Sequence, residues 1–212
     1  LKKFSPKING VRIRVGAIAK SALHRHLWIE QLGLCAYCMQ TVPENDFKDF
    51  SHLEHMKPKG NSLFKHLKFD FENIVMSCNG LNCTSDEKYT ARSHCGAYKD
   101  NRKGSGMTFN DDIFVNPTEV PVVEECYDYN LEGEIFCSAV GVVFSRDRVN
   151  YMIKYLGLDV PYLNDFRRES YESLIDIERT EGVEFIQDLL SNDTSPAVGF
   201  QPMMKRMFGL IP

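Results

Sequence analysis

Apolar positions along the chain change period several times, and each change predicts an element. Between residues 21 and 32, Leu23, Leu27 and the Ile29/Leu32 pair recur at helical spacing, with Ser21 placed to cap the start and Gly33 to stop the helix. From Phe50 to Met56 the pattern shortens to that of a strand. Residues 60 to 72 then read as a polar loop, carrying Lys65, His66 and Lys68 just after Lys59. Those cations are placed to face a phosphate backbone. A hairpin is expected over Val120 to Val143, with its turn at Asn130 to Gly133 and with Val122, Val123, Ile135 and Phe136 in its arms.

Beyond Ser145 the period is helical. Val149, Ile153 and Leu156 share a face before Gly157, and Leu163, Phe166, Tyr171, Leu174, Ile177, Phe185 and Leu189 continue the apolar stripe. The polar run Asn192 to Pro196 separates it from a last amphipathic helix, Val198 to Phe208. Met203, Met204 and Met207 in that helix suit a docking face or a satellite core. No repeat or low-complexity tract interrupts the pattern.

With 212 residues and 43% hydrophobic composition, the chain can bury one core, with or without an appended helical part. No apolar run of about eighteen residues exists, so no transmembrane helix is expected. The start, Leu1-Lys2-Lys3-Phe4, lacks the apolar segment of a signal peptide. Seven cysteines, four of them at metal-like spacings, point to a reduced, cytoplasmic zinc protein rather than a disulfide scaffold.

The net charge of −4 is unusual for a nucleic-acid binder working alone, because phosphate contacts need cations. Its distribution is uneven. Lys2, Lys3, Lys7, Arg12, Arg14, Lys20 and Arg25 form a basic arm without acids, whereas Pro117 to Glu134 is strongly acidic and reads as partner-facing.

Chemistry concentrates between residues 35 and 101. Cys35 and Cys38 stand two residues apart, so both thiolates can reach one tetrahedral zinc from a tight knuckle. Cys78 begins a second pair, whose other member is Cys83 or Cys95. Glu54 and His55 differ in character, because a hard carboxylate beside an imidazole suits a divalent cation and a general base. Cys126 and Cys137 read as plain thiols. His24 and His26 lie on opposite sides of a helix and form no metal face.

Taken in order, Cys35-Ala36-Tyr37-Cys38, Glu54-His55-Met56-Lys57-Pro58-Lys59, Asn73-Ile74, Ser77-Cys78 and His94-Cys95-Gly96 resemble the HNH (ββα-metal) endonucleases. Within them the chain is most similar to the Septu-type and retron-associated anti-phage nucleases. The likeness extends through Phe114 to Glu119, Tyr127 to Ile135, Tyr155 to Leu158, Leu163 and Arg167. It implies an α+β fold: a zinc-stapled ββα-metal core over residues 35–115, a basic arm and helix over 1–34, and a hairpin with a helical assembly region over 116–212. It favours Cys95 over Cys83 as the fourth zinc ligand.

The resemblance further implies that His55 deprotonates the attacking water. Glu54 would bind one Mg²⁺ or Mn²⁺, Asn73 would brace the loop that carries His55, and Lys57, Lys59 and Lys99 would meet phosphate. Where the family usually has a last metal-binding His or Asn after the second knuckle, this chain has Gly96. Asn101, Asp100 and His94 are the candidates to replace it. The implied substrate is DNA, with RNA such as tRNA as the alternative. The implied partner is an ABC/AAA-type ATPase, with or without a reverse transcriptase and its structured DNA. A zinc-stabilised nucleic-acid-binding or scaffold module with a decayed active site is the rival from another class.

Overall fold

The computed structural model describes residues 7–8, 11–12, 20–80, 94–99, 106–118, 126–139, 144–191 and 197–210. Lys7–Ile8 (β1) and Val11–Arg12 (β2) form a minimal antiparallel ladder. Helix α1, Lys20–Glu30, follows. Its chain turns sharply at Gly33, whose N–H donates to Trp28 O at 2.8 Å and whose φ of 72° suits glycine. Leu23, Leu27 and Trp28 are buried, as the helical spacing requires.

After a single-turn helix, Phe47–Phe50 (α2), the chain enters β3, Ser51–His55. This strand pairs antiparallel with β4, Ile74–Cys78, in the register Ser51↔Cys78 to His55↔Ile74. The intervening stretch, expected as a plain polar loop, contains two 3₁₀ segments, Ser62–Leu67 and Phe71–Asn73. Asn61 and Asp70 start them by accepting from the backbone N–H groups of Leu63 and Glu72. Asn and Asp favour such local bonds over extended loop, which is why short helical turns form here.

All five residues of β4 are buried, because the sheet lies between two apolar clusters. Ile74 and Met76 pack with Leu23, Leu27 and Trp28 of α1, whereas Val75 joins the larger cluster on the opposite face. Period-2 alternation produces this division. Gln31 closes the α1 side: its amide nitrogen donates to Leu34 O and Met76 O, both at 2.9 Å, and its amide oxygen accepts from Met76 N at 2.8 Å. One side chain thus satisfies the strand's backbone edge.

Helix α3, Cys95–Lys99, is short and contacts β4. Tyr127–Tyr129 (β5) and Ile135–Cys137 (β6) pair around a turn at Asn130–Gly133, as the hairpin pattern predicts; Val122 and Val123 lie outside the described residues. Helices α4 (Arg146–Leu156), α5 (Pro161–Glu181), α6 (Val183–Ser191) and α7 (Gln201–Met207) complete the chain. Gly157 ends α4 in the left-handed conformation, with φ 60°.

Arg167 of α5 is fully buried and donates to Gly133 O at 3.1 Å, Leu158 O at 2.8 Å and Asn164 Oδ1 at 3.0 Å. It ties the hairpin turn to the helical part. Burial lowers its pKa despite the opposing effect of Tyr129. The apolar stripe beyond Ser145 is only partly internal, since Ile177 and Phe185 are exposed. Met203 and Met204 are buried in the larger cluster, so they fill core rather than present a docking face. No helix among the described residues is long and apolar enough to cross a membrane.

Candidate metal centre and adjoining cleft

The knuckle after α1 is a tight loop. Met39 N–H donates to Cys35 O at 3.1 Å, Cys35 N–H donates to Gln40 O at 2.9 Å, and Met39 takes a φ of 62°. These bonds bring Cys35 and Cys38 to the end of β4, where Cys78 lies, and to the start of α3, where Cys95 lies. The four sulfurs fall within 4.8 Å of one another and all four residues are buried. Cys35 Sγ is 3.9 Å from Cys95 Sγ, and Cys38 Sγ is 3.8 Å from Cys78 Sγ.

Zn–S bonds of about 2.3 Å in a tetrahedron place sulfurs about 3.8 Å apart, so the donor set fits one zinc ion. Cys35, Cys38, Cys78 and Cys95 would hold it, and its chemistry there would be structural. Cys83 lies outside the described residues.

The surroundings act on the thiols unequally. Cys78 N–H points at Cys35 Sγ from 3.2 Å, and His94 Nδ1 lies 3.2 Å from Cys95 Sγ and 3.7 Å from Cys78 Sγ. Burial holds the Cys95 thiol well above its usual range, and bonds to Cys35 and Cys38 do the same for Cys78. At Cys38 burial is outweighed by neighbouring thiols and His94, which lower it. A metal ion bound by the four sulfurs would remove their remaining protons. Cys95 also has φ 58°, a strained value for a residue with a Cβ, at the point where the four sulfurs converge.

The face of β3 nearest α3 carries His52 and Glu54, while His55 follows the alternation to the other face. Glu54 is buried, and each of its carboxylate oxygens faces one basic side chain. Lys99 Nζ forms an ion pair with Oε1, and His52 Nε2 lies 3.2 Å from Oε2. Burial raises the Glu54 pKa, but the His52 contact and the Lys99 charge outweigh it, and the net shift is downward. A Cβ on Gly96 would stand 2.8 Å from the Glu54 carboxylate and 3.0 Å from His52 Nε2. Helix α3 therefore crosses directly above this pair.

A cleft of about 540 Å³ opens between α1, β3 and the loop after it, and His52 borders both it and the Glu54 pair. Lys20, Lys48, Lys59 and Lys68 line it together with His24, His52 and His55, and no carboxylate lines it among the described residues. His55 Nε2 is 2.9 Å from Lys68 O. A carbonyl only accepts, so Nε2 carries the proton and Nδ1 is left as a proton acceptor.

Asn73 hydrogen-bonds across this segment. Its amide nitrogen donates to Lys57 O and Leu67 O, and its oxygen accepts from Lys57 N at 2.8 Å. Lys57 is paired to Asp111 at 2.6 Å and lies outside the cleft lining, whereas Lys59 is in it. Lys99 faces Glu54 instead of phosphate. His94 faces the thiols, stacked on Tyr162, and Asp100 and Asn101 lie outside the described residues.

His52 is the site residue that motif spacing missed. Its signal was its place two residues before Glu54 on a strand, which sets both on one face. No protein-family model matches this chain, and no curated protein matches it.

Proposed function

We propose that this chain is an HNH-type endonuclease that hydrolyses nucleic-acid phosphodiester bonds, with DNA as the expected substrate. The observation that carries the reading is the placement of His55. It lines a cleft of lysines and histidines, with its Nε2–H tied to Lys68 O and Nδ1 free to accept a proton. The lysines can hold a phosphate backbone without reading sequence. In the reaction, water forms a bond to phosphorus and gives its proton to His55 Nδ1. The bond to the 3′ oxygen breaks, and that oxygen takes a proton from solvent. The β3–β4–α3 order, with Cys35, Cys38, Cys78 and Cys95 beneath it, supports the same reading.

The Mg²⁺ or Mn²⁺ that the family resemblance implies does not fit at Glu54 as the site stands. Lys99 already supplies the positive charge beside Glu54 Oε1, and Gly96 offers no ligand. That same observation favours the second reading, a zinc-stabilised nucleic-acid-binding module that uses the basic cleft without cleavage. Strand cleavage by zinc-loaded protein, compared between wild type and His55→Ala, decides between them.

Control by a partner belongs to the proposal. The surplus of acid, net charge −4, opposes unaided capture of nucleic acid. An ABC/AAA-type ATPase, with or without a reverse transcriptase and its structured DNA, would supply the missing basic surface in an anti-phage complex. Co-purification of the two subunits tests that step.

A further inference from the structure

We propose that Lys99 takes the place of a divalent cation at Glu54, and that Glu54 and His52 form a cation site which opens when this ammonium is removed. The inference rests on the nuclease reading for its purpose, but cation binding itself is measured without cleavage.

The geometry has three parts. Glu54 and Lys99 form an ion pair in the interior, their side chains 5% and 1% exposed. A lone carboxylate is costly there, and one ammonium balances its charge. His52 Nε2 lies 3.2 Å from Glu54 Oε2. Two neighbouring ligands of an octahedral ion with bonds of about 2.1 Å are separated by about 3.0 Å, so this imidazole and carboxylate are already spaced as adjacent donors. Mn²⁺ accepts carboxylate ligands and is paramagnetic, so it serves as the probe of this pair.

The third part is Gly96. Its missing side chain leaves the space above the pair to backbone alone, since a Cβ would stand 2.8 Å from the carboxylate. The helix therefore gives no donor, and strand β3 gives two. His52, 38% exposed, connects the pair to the cleft, which is the route by which an ion would enter. While Lys99 holds its position, a second cation beside the same carboxylate is repelled at short range.

The test is Mn²⁺ binding to zinc-loaded protein, followed by electron paramagnetic resonance, for wild type, Lys99→Met and Lys99→Met/His52→Ala. Wild type should bind weakly, Lys99→Met about ten-fold more tightly or better, and the double variant should return to the wild-type value. Lys99→Gln, which removes the charge but keeps an N–H donor for Glu54, is read in the same way should Lys99→Met fail to fold. Equal affinity in wild type and the charge-removed variant overturns the proposal, as does a gain that survives loss of His52. So does tight wild-type binding that Glu54→Gln abolishes. A chain that cleaves nucleic acid but gains no Mn²⁺ affinity on losing Lys99 refutes the cation site and retains the nuclease. Gained affinity without cleavage retains the site and refutes the nuclease.

Discussion

Lys99 and Glu54 meet in the interior, 45 positions apart in sequence, and each supplies the charge the other needs to be buried. Removing one partner of such a pair leaves a bare charge and costs about 3–5 kcal/mol, whereas removing both is far milder. Lys99→Met should therefore lower the thermal midpoint of the zinc-loaded protein substantially. Glu54→Gln added to it should restore most of the loss. Equal destabilisation in the single and double variants would show that the ion pair is not coupled.

The four-cysteine cluster predicts about one zinc per chain in freshly purified, reduced protein. Cys95→Ser should abolish zinc retention and loosen the core, because this residue joins α3 to the knuckle and β4. Cys137→Ser should be mild, since Cys137 is half-buried and far from the cluster in sequence. Elemental analysis reads the first effect and thermal melting the second. Full zinc content in Cys95→Ser would contradict the assignment.

His24 gives the chain a pH dependence. Its Nε2 is 2.8 Å from Ser51 Oγ, whose own proton goes to Phe47 O, so Nε2 donates. Burial, with help from the charges of His52 and Lys48, lowers its pKa from 6.5 to about 4. Because the unfolded chain binds this proton more readily, the contribution of His24 is fully present above pH 6.5 and is lost as pH falls toward about 4. His24→Gln should melt with a shallower slope across that window than wild type. Identical slopes would show that His24 is not the group responsible.

Local features were legible where the physics is local. The Leu23/Leu27 spacing with Gly33 fixed α1, the short apolar run fixed β3, and the two-residue gap between Cys35 and Cys38 identified the first half of the four-cysteine cluster. Partners distant in sequence were not. Nothing near Lys99 marks it as the counter-ion of Glu54, so it read as a phosphate contact. Likewise, the Met203/Met204 stripe shows that a helix has an apolar face but not what covers it, and here the larger core does. Ile177 and Phe185 show the reverse case, keeping the helical period yet lying exposed.

The central claim is that His55, held by Lys68 O in the basic cleft, removes the proton of the attacking water. Its most direct test is cleavage of plasmid DNA and single-stranded RNA by zinc-loaded protein, with the ATPase subunit present and divalent ion supplied. Wild type should cut, and His55→Ala should lose about 10²–10⁴-fold in rate while keeping its zinc and its melting temperature. Cleavage by His55→Ala at the wild-type rate would contradict the account.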